Sequence, residues 1–126
     1  MSVQNEIVDP LMTISCGPDL IVRARWTPGV TITEAAARRS IELLEELSSG
    51  QRLALLVDMS DVRAMTREAR TVFAGLQSML AMALVGKSPV VRVISNFALG
   101  VIKPGVPSKF FTSTVEAESW LRGFQT

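Results

Sequence analysis

Short apolar runs without alternation mark the interior of the predicted sheet. The run RLALLVD (52–58) is apolar at nearly every position and is bounded by polar or turn-forming residues. A strand that is buried on both faces shows this pattern, and such strands are typical of parallel sheets. The stretch MLAMALVG (79–86) contains a second interior strand of the same kind. The two runs therefore predict interior strands of a mostly parallel sheet that is covered by helices on both faces.

The first part of the chain alternates instead, and this alternation predicts an antiparallel hairpin. LMTISC (11–16) and DLIVRARW (19–26) are rich in β-forming residues and flank Gly17-Pro18. In the second run, apolar positions alternate with positions that include both of its arginines. One face of the hairpin should therefore be more exposed to solvent than the other. These alternating apolar positions are Leu20, Val22, Ala24 and Trp26. Residues 1–10 are polar and are predicted to be a loose tail, so a single domain would cover 11–126.

Capping signals predict where the helices begin. Thr31 with Glu34, and Ser113 with Glu116, have the spacing of a capping box, and Thr66 can cap a helix that carries Glu68 in its first turn. The first helix should end at Ser48-Ser49-Gly50. SKFFT (108–112) precedes the last helix and is predicted to be the last strand.

The segment KSPVVRVISNFALGVIKPG (87–105) can be interpreted either as a strand or as a helix. Its β-branched residues favour a strand, but Val90, Ile94, Phe97 and Val101 recur at helical spacing. Ser88-Pro89 is a good helix start, and the run is longer than most strands. We therefore predict a helix over 88–102. The resulting order is β-β-α-β-α-β-α-β-α, an α/β fold with a mostly parallel sheet, an N-terminal antiparallel hairpin and helices covering the sheet.

Composition narrows the classes of function. The chain has 126 residues, 48% of them apolar, and a formal net charge of +1, so no basic stripe for nucleic acid is evident. Cys16 is the only cysteine and there is no histidine, which removes an internal disulfide and the commonest general base and metal ligand. The longest apolar run, Met79–Val85, is far shorter than the roughly 20 residues of a membrane span. The N-terminus lacks a signal-peptide pattern, and we expect a cytoplasmic domain without a cofactor.

The stretch LLVDMSDVRAMTREAR (55–70) resembles the strand–loop–helix segment of the STAS and SpoIIAA-like family of anti-sigma-factor antagonists. Asp58-Met59-Ser60 matches that family's Asp-Leu-Ser, and Val62 and Met65 match its apolar loop positions. Arg67 stands where the phospho-regulated antagonists carry their phosphorylated serine. Residues 83–121 look closer to an uncharacterised bacterial branch of STAS/SEC14-type proteins. The resemblance implies an interaction or regulatory module with no defined reaction.

A first candidate site lies where the strand 52–58 enters the next helix. Asp58, Ser60, Asp61 and Thr66 would form a loop that contacts a partner or receives a phosphate, because open α/β sheets bind ligands at the carboxyl ends of their strands. The alternative is that Asp58 and Ser60 hydrogen-bond within the loop and that Thr66 only caps the helix.

A second candidate site is an interface. Val91, Leu99 and Ile102 form a second apolar stripe on the predicted helix 88–102, whereas a helix lying on a sheet hides only one stripe. The stripe predicts a homodimer as the leading form, with a protein partner, a lipid or cover by residues 103–107 as alternatives. The sequence thus predicts a non-enzymatic, self-associating interaction module. The alternative is a SEC14-type domain that binds a small apolar ligand or lipid.

Overall fold

The computed structural model describes residues 5–86 and 106–125, which form a mixed α/β fold. The strands are β1 (Asn5–Val8), β2 (Met12–Cys16), β3 (Ile21–Trp26), β4 (Thr31–Ile32), β5 (Leu53–Asp58), β6 (Ala64–Met65), β7 (Met79–Val85) and β8 (Ser108–Phe111). The helices are α1 (Glu34–Ser48), α2 (Arg67–Ala74) and α3 (Thr114–Arg122). The helix predicted over 88–102 lies outside the described residues. Within the described ranges, no helix has the length and apolar character needed to span a membrane.

Six of these strands form one sheet in the order β1-β2-β3-β5-β7-β8. The first three pair in antiparallel fashion, whereas β3, β5, β7 and β8 pair in parallel. The predicted hairpin and mostly parallel sheet are therefore confirmed. The prediction of a loose tail is wrong for residues 5–8, because Asn5–Val8 pairs with Cys16–Thr13 and forms the sheet's edge strand.

The central strand β5 separates two apolar cores. Leu53, Leu55 and Val57 pack with residues of α1 and α2 on one face of the sheet. Ala54 and Leu56 face the other way, towards α3. Half of the buried sheet side chains beneath α3 are alanines, which lets the helix lie close to the sheet there. The sheet alanines are Ala54, Ala81 and Ala83, and Ala117 is on the helix itself.

Of the three helices in the described ranges, two are capped by the residue that the sequence predicts. The hydroxyl of Thr66 accepts a hydrogen bond from Ala69 N–H, and that of Ser113 accepts one from Glu116 N–H. The prediction that Thr31 caps α1 is wrong, because Thr33 takes that role and accepts a hydrogen bond from Ala36 N–H. Thr31 instead belongs to β4 and pairs in parallel with Ala64 of β6. A two-residue pairing of this kind leaves no periodic pattern in the sequence.

Leu20 also departs from the predicted alternation. Its φ is 62°, in the left-handed region, and 53% of the residue is exposed. The strand therefore begins at Ile21, whose side chain is fully buried on the α3 side of the sheet. Val22, Ala24 and Trp26 do alternate into the α1 side, as predicted.

An ionic cluster ties α3 to the sheet. Nη2 of Arg23 lies 2.8 Å from Oδ2 of Asp19 and 2.8 Å from Oε2 of Glu118 on α3. The hydrogen bond from Arg23 is the largest cause that holds the pKa of Asp19 below its usual value. The pKa of the Arg23 guanidinium is raised in turn, and the largest cause is its hydrogen bond to Asp19. The cluster is about two-thirds buried, so solvent screens only part of the attraction.

The cluster predicts how stability depends on pH. Because the pKa of Asp19 is lowered in the folded state, its contribution is fully present above the unfolded pKa of about 3.9 and is lost as pH falls through the folded pKa. We expect Asp19→Asn to lower the free energy of unfolding by about 1 kcal/mol at pH 7. Urea unfolding from pH 7 to pH 2 should show wild type and variant converging below about pH 4. A difference that stays constant over this range would contradict the assignment.

Candidate functional site

The loop from Asp58 to Thr66, called here the 58–66 loop, leaves the sheet at the carboxyl end of β5. Oδ1 of Asp58 accepts a hydrogen bond of 2.9 Å from Ser60 N–H, which turns the chain sharply after the strand. Met59 N–H donates to Val85 O, at the end of the neighbouring strand β7. The side chains of Met59 and Val62 are buried in the core beneath the loop. These contacts anchor the start of the loop to two parallel strands.

Backbone hydrogen bonds also fasten the 58–66 loop to the chain before α1. Gly29 N–H donates to Asp61 O at 2.8 Å, and Arg63 N–H donates to Val30 O at 2.9 Å. Thr66 N–H donates to Ile32 O at 3.0 Å, next to the pairing of β4 with β6. The loop is thus paired along most of its length, and its conformation is held before any partner arrives.

Arg25 joins the two carboxylates of this site. It lies opposite Asp58 in the register of β3 and β5. Its Nε is 3.9 Å from Oδ2 of Asp58, and its Nη2 is 3.5 Å from Oδ2 of Asp61. All three side chains are at least a third exposed, and exposed pairs contribute only about 0–1 kcal/mol to stability. The cluster therefore matters more as a charged surface than as a source of stability.

The two hydroxyls predicted as phosphate acceptors differ in their surroundings. The Thr66 hydroxyl is engaged as the cap of α2, with Oγ1 3.1 Å from Ala69 N. Ser60 is exposed, and its hydroxyl has no hydrogen-bond partner among residues 5–86 and 106–125. The structure therefore brings Asp58 and Asp61 together around Arg25, leaves Ser60 exposed in the same loop, and uses Thr66 as the cap of α2.

Sequence reasoning missed Arg25 as part of the site. The arginines at 23, 25, 38 and 39 do not form one basic patch, because each pairs with different carboxylates. Arg23 pairs with Asp19 and Glu118, Arg25 with Asp58 and Asp61, Arg38 with Glu34, and Arg39 with Asp9 and Glu42. No local pattern in the sequence signals this contact, because Arg25 meets Asp58 only through the register of β3 and β5.

The structure describes the single cysteine but not the predicted interface. Val91, Leu99 and Ile102, the predicted interface, are outside the described residues. Cys16 is half-buried at the end of β2, and burial, followed by the nearby carboxylate of Asp19, raises the pKa of its thiol. At neutral pH this cysteine is therefore the thiol, which is a poor nucleophile.

A likeness to a solved structure defines the fold class. The structure superposes with a TM-score of 0.59 on an uncharacterised protein of the DUF3478 family with a SpoIIAA-like fold from Shewanella loihica PV-4. The two are 16% identical, and the match covers 96% of this chain and 98% of the other. The chain thus has the SpoIIAA-like fold that the motif in residues 55–70 resembles.

The family follows from the sequence itself. Residues 14–125 match the domain of unknown function DUF7793, and the chain belongs to that family. A protein of unknown function from Arthrobacter sp. FB24 is 40% identical over 86% of this chain and 97% of its own length, with a TM-score of 0.36. No curated protein matches the chain.

The site geometry predicts that Thr66 is a structural residue. Thr66→Ala should lower the free energy of unfolding by about 1 kcal/mol, because one N–H at the start of α2 loses its acceptor. Thr66→Ser keeps the hydroxyl and should retain most of the stability. The exposed Ser60→Ala change should stay within about 0.5 kcal/mol of wild type. Urea unfolding of the three variants measures these values, and a neutral Thr66→Ala would contradict the capping role.

Proposed function

We propose that this protein is a non-enzymatic interaction module that contacts a regulatory protein partner through the 58–66 loop. One observation carries the proposal: the backbone of the loop is held by hydrogen bonds, while Ser60, Asp61 and Arg63 point charged or polar side chains into solvent. Binding to a loop that is already held in place costs less conformational entropy than binding to a loop that has to become ordered.

The charges on this surface favour recognition over catalysis. Arg25 pairs with both Asp58 and Asp61 but offsets only one of their two negative charges, and all three side chains are at least a third exposed. The sequence holds no histidine to activate a nucleophile, and the pKa of the Cys16 thiol is raised. Exposed mixed charges instead steer a complementary protein surface into register.

The loop proposal can be tested with a charge reversal. We expect Asp61→Arg to weaken partner binding at least about tenfold, because it places a like charge beside Arg25 and repels the partner's complementary group. The matched control is Glu46→Arg on α1, a charge reversal at another exposed position away from the loop. Both variants and wild type would be immobilised and offered soluble extract of the native cells. Quantitative mass spectrometry would identify the retained proteins, and calorimetry would give their affinities.

The outcome distinguishes binding through the 58–66 loop from non-specific binding to the immobilised protein. A protein retained by wild type and Glu46→Arg but lost with Asp61→Arg supports the proposal. If every retained protein binds all three chains equally, the 58–66 loop is not the contact surface.

Self-association is the second part of the proposal, and it rests on the apolar stripe of Val91, Leu99 and Ile102 in the sequence. Native mass spectrometry should show a dimer for wild type and a monomer for Leu99→Asp, because a buried carboxylate opposes the interface. Val115→Asp on α3 is the matched control, since Val115 is already 74% exposed. A mass unchanged by Leu99→Asp would remove the dimer.

The same spectra address the second candidate function, a small apolar-ligand or lipid binder. A pocket of about 360 Å³ at the amino end of the sheet favours it. Leu53, Leu80 and Phe124 supply apolar walls, and Arg52 lies beside them. An added mass retained on the protein from several preparations would support this alternative, whereas a consistently bare mass would count against it.

A further inference from the structure

A groove between α1 and α2 forms a second surface, separate from the 58–66 loop. It encloses about 630 Å³ and shares no residue with the loop. Because β4 and β6 pair in parallel and each leads directly into a helix, α1 and α2 start side by side. The groove follows α1 from Glu34 to Glu45, a length of about 16 Å at 1.5 Å per residue. This length accommodates about three turns of a helix.

The floor of the groove is apolar. Ile41 from α1 and Val72 from α2 are half-buried and pack against the main core. Leu76, just beyond α2, is almost fully buried beneath them. Apolar side chains of an incoming helix would extend the core here, which is how amphipathic helices dock in grooves.

The rim of the groove is acidic, with four glutamates and one arginine among its lining residues. Glu34 is neutralised by Arg38, whose Nη2 lies 2.8 Å from its Oε2, and Glu42 accepts a hydrogen bond from Arg39. Glu45 and Glu68 have no hydrogen bond or ion pair with any residue in the described ranges. Two carboxylates without an ion-pair partner among the described residues thus lie on opposite helices of one groove.

The C-terminal ends of α1 and α2 add negative potential where they line the groove, whereas the positive N-terminal ends, at Glu34 and Glu68, line it as well. Glu45 stands in the last turn of α1, and Gly75, the C-cap of α2, also lines the groove. Neither last turn contains a basic residue, so the negative end of each helix dipole is unopposed by its own helix. A carboxylate in the last turn of a helix, such as that of Glu45, is unfavourable. A bound cation would reduce its repulsion by the negative end of the helix dipole.

From these features we infer that the α1–α2 groove docks a basic amphipathic helix of a partner protein. The negative rim repels nucleic acid and anionic lipid, which leaves a positively charged protein segment as its complement. Lysine or arginine side chains would pair with Glu45 and Glu68, and apolar side chains at helical spacing would cover Ile41 and Val72.

A synthetic peptide tests this inference without knowledge of the natural partner. The probe is a fluorescein-labelled peptide of about 14 residues, with leucines at i, i+3, i+4 and i+7 and lysines elsewhere. Fluorescence anisotropy should show saturable binding that weakens as salt is added. The same peptide with glutamate in place of lysine should not bind.

Adjacent residues on α1 provide the decisive comparison. Glu45→Lys should weaken binding about tenfold, since it places a like charge in the groove. Glu46→Lys makes the same charge change at an exposed position outside the groove and should change affinity less than about twofold. For the floor, Val72→Ala should weaken binding, whereas Val115→Ala on the exposed face of α3 should not. Circular dichroism checks that all four variants are folded.

Two results would overturn the inference. If Glu45→Lys and Glu46→Lys weaken binding equally, binding depends on the net charge of the protein and not on the groove. If the lysine peptide fails to bind, or the glutamate peptide binds as well, the groove has no preference for a basic helix. Either failure leaves the proposal for the 58–66 loop standing, because that loop is tested by different variants.

Discussion

Burial of β5 on both faces is the constraint on which the rest of the structure depends. The strand is hydrogen-bonded between β3 and β7, with Leu55 in one core and Leu56 in the other. A slip of one residue would exchange these two faces throughout the strand, so its register is strongly specified. Asp58 therefore always emerges opposite Arg25, and Met59 always meets Val85. The register of this one strand therefore determines the geometry of the candidate site.

Local signals predicted the elements that carry a distinct apolar pattern or a capping residue. The apolar runs at 52–58 and 79–86 became β5 and β7, and Thr66 caps α2 as its position suggested. The errors arose where distant pairing decides the outcome. Thr31 could not be assigned to a strand without knowledge that it meets Ala64, and residues 5–8 are ordered by pairing with β2. A polar edge strand and a two-residue strand carry no hydrophobic period for the sequence to display.

The same distinction explains which parts of the site were foreseen. Asp58, Ser60 and Asp61 are close in sequence, so their proximity required only a turn. Arg25 reaches them through the register of β3 and β5, which no local pattern records. The groove depends on the placement of α1 beside α2, and that placement follows from the unforeseen pairing of β4 with β6. The helix over 88–102 stays a prediction.

The short helix α2 connects the two surfaces. A helix of eight residues is too short to be stable in isolation, so its position depends on its anchors. Its start is fixed by the Thr66 cap and by the pairing of β6, and its far end at Gly75 lines the groove. Changes that disrupt β6 should therefore disturb the loop and the groove together. Exposed charges such as Asp61 and Glu45 are not part of this anchoring, and each can be altered while the other surface keeps its shape.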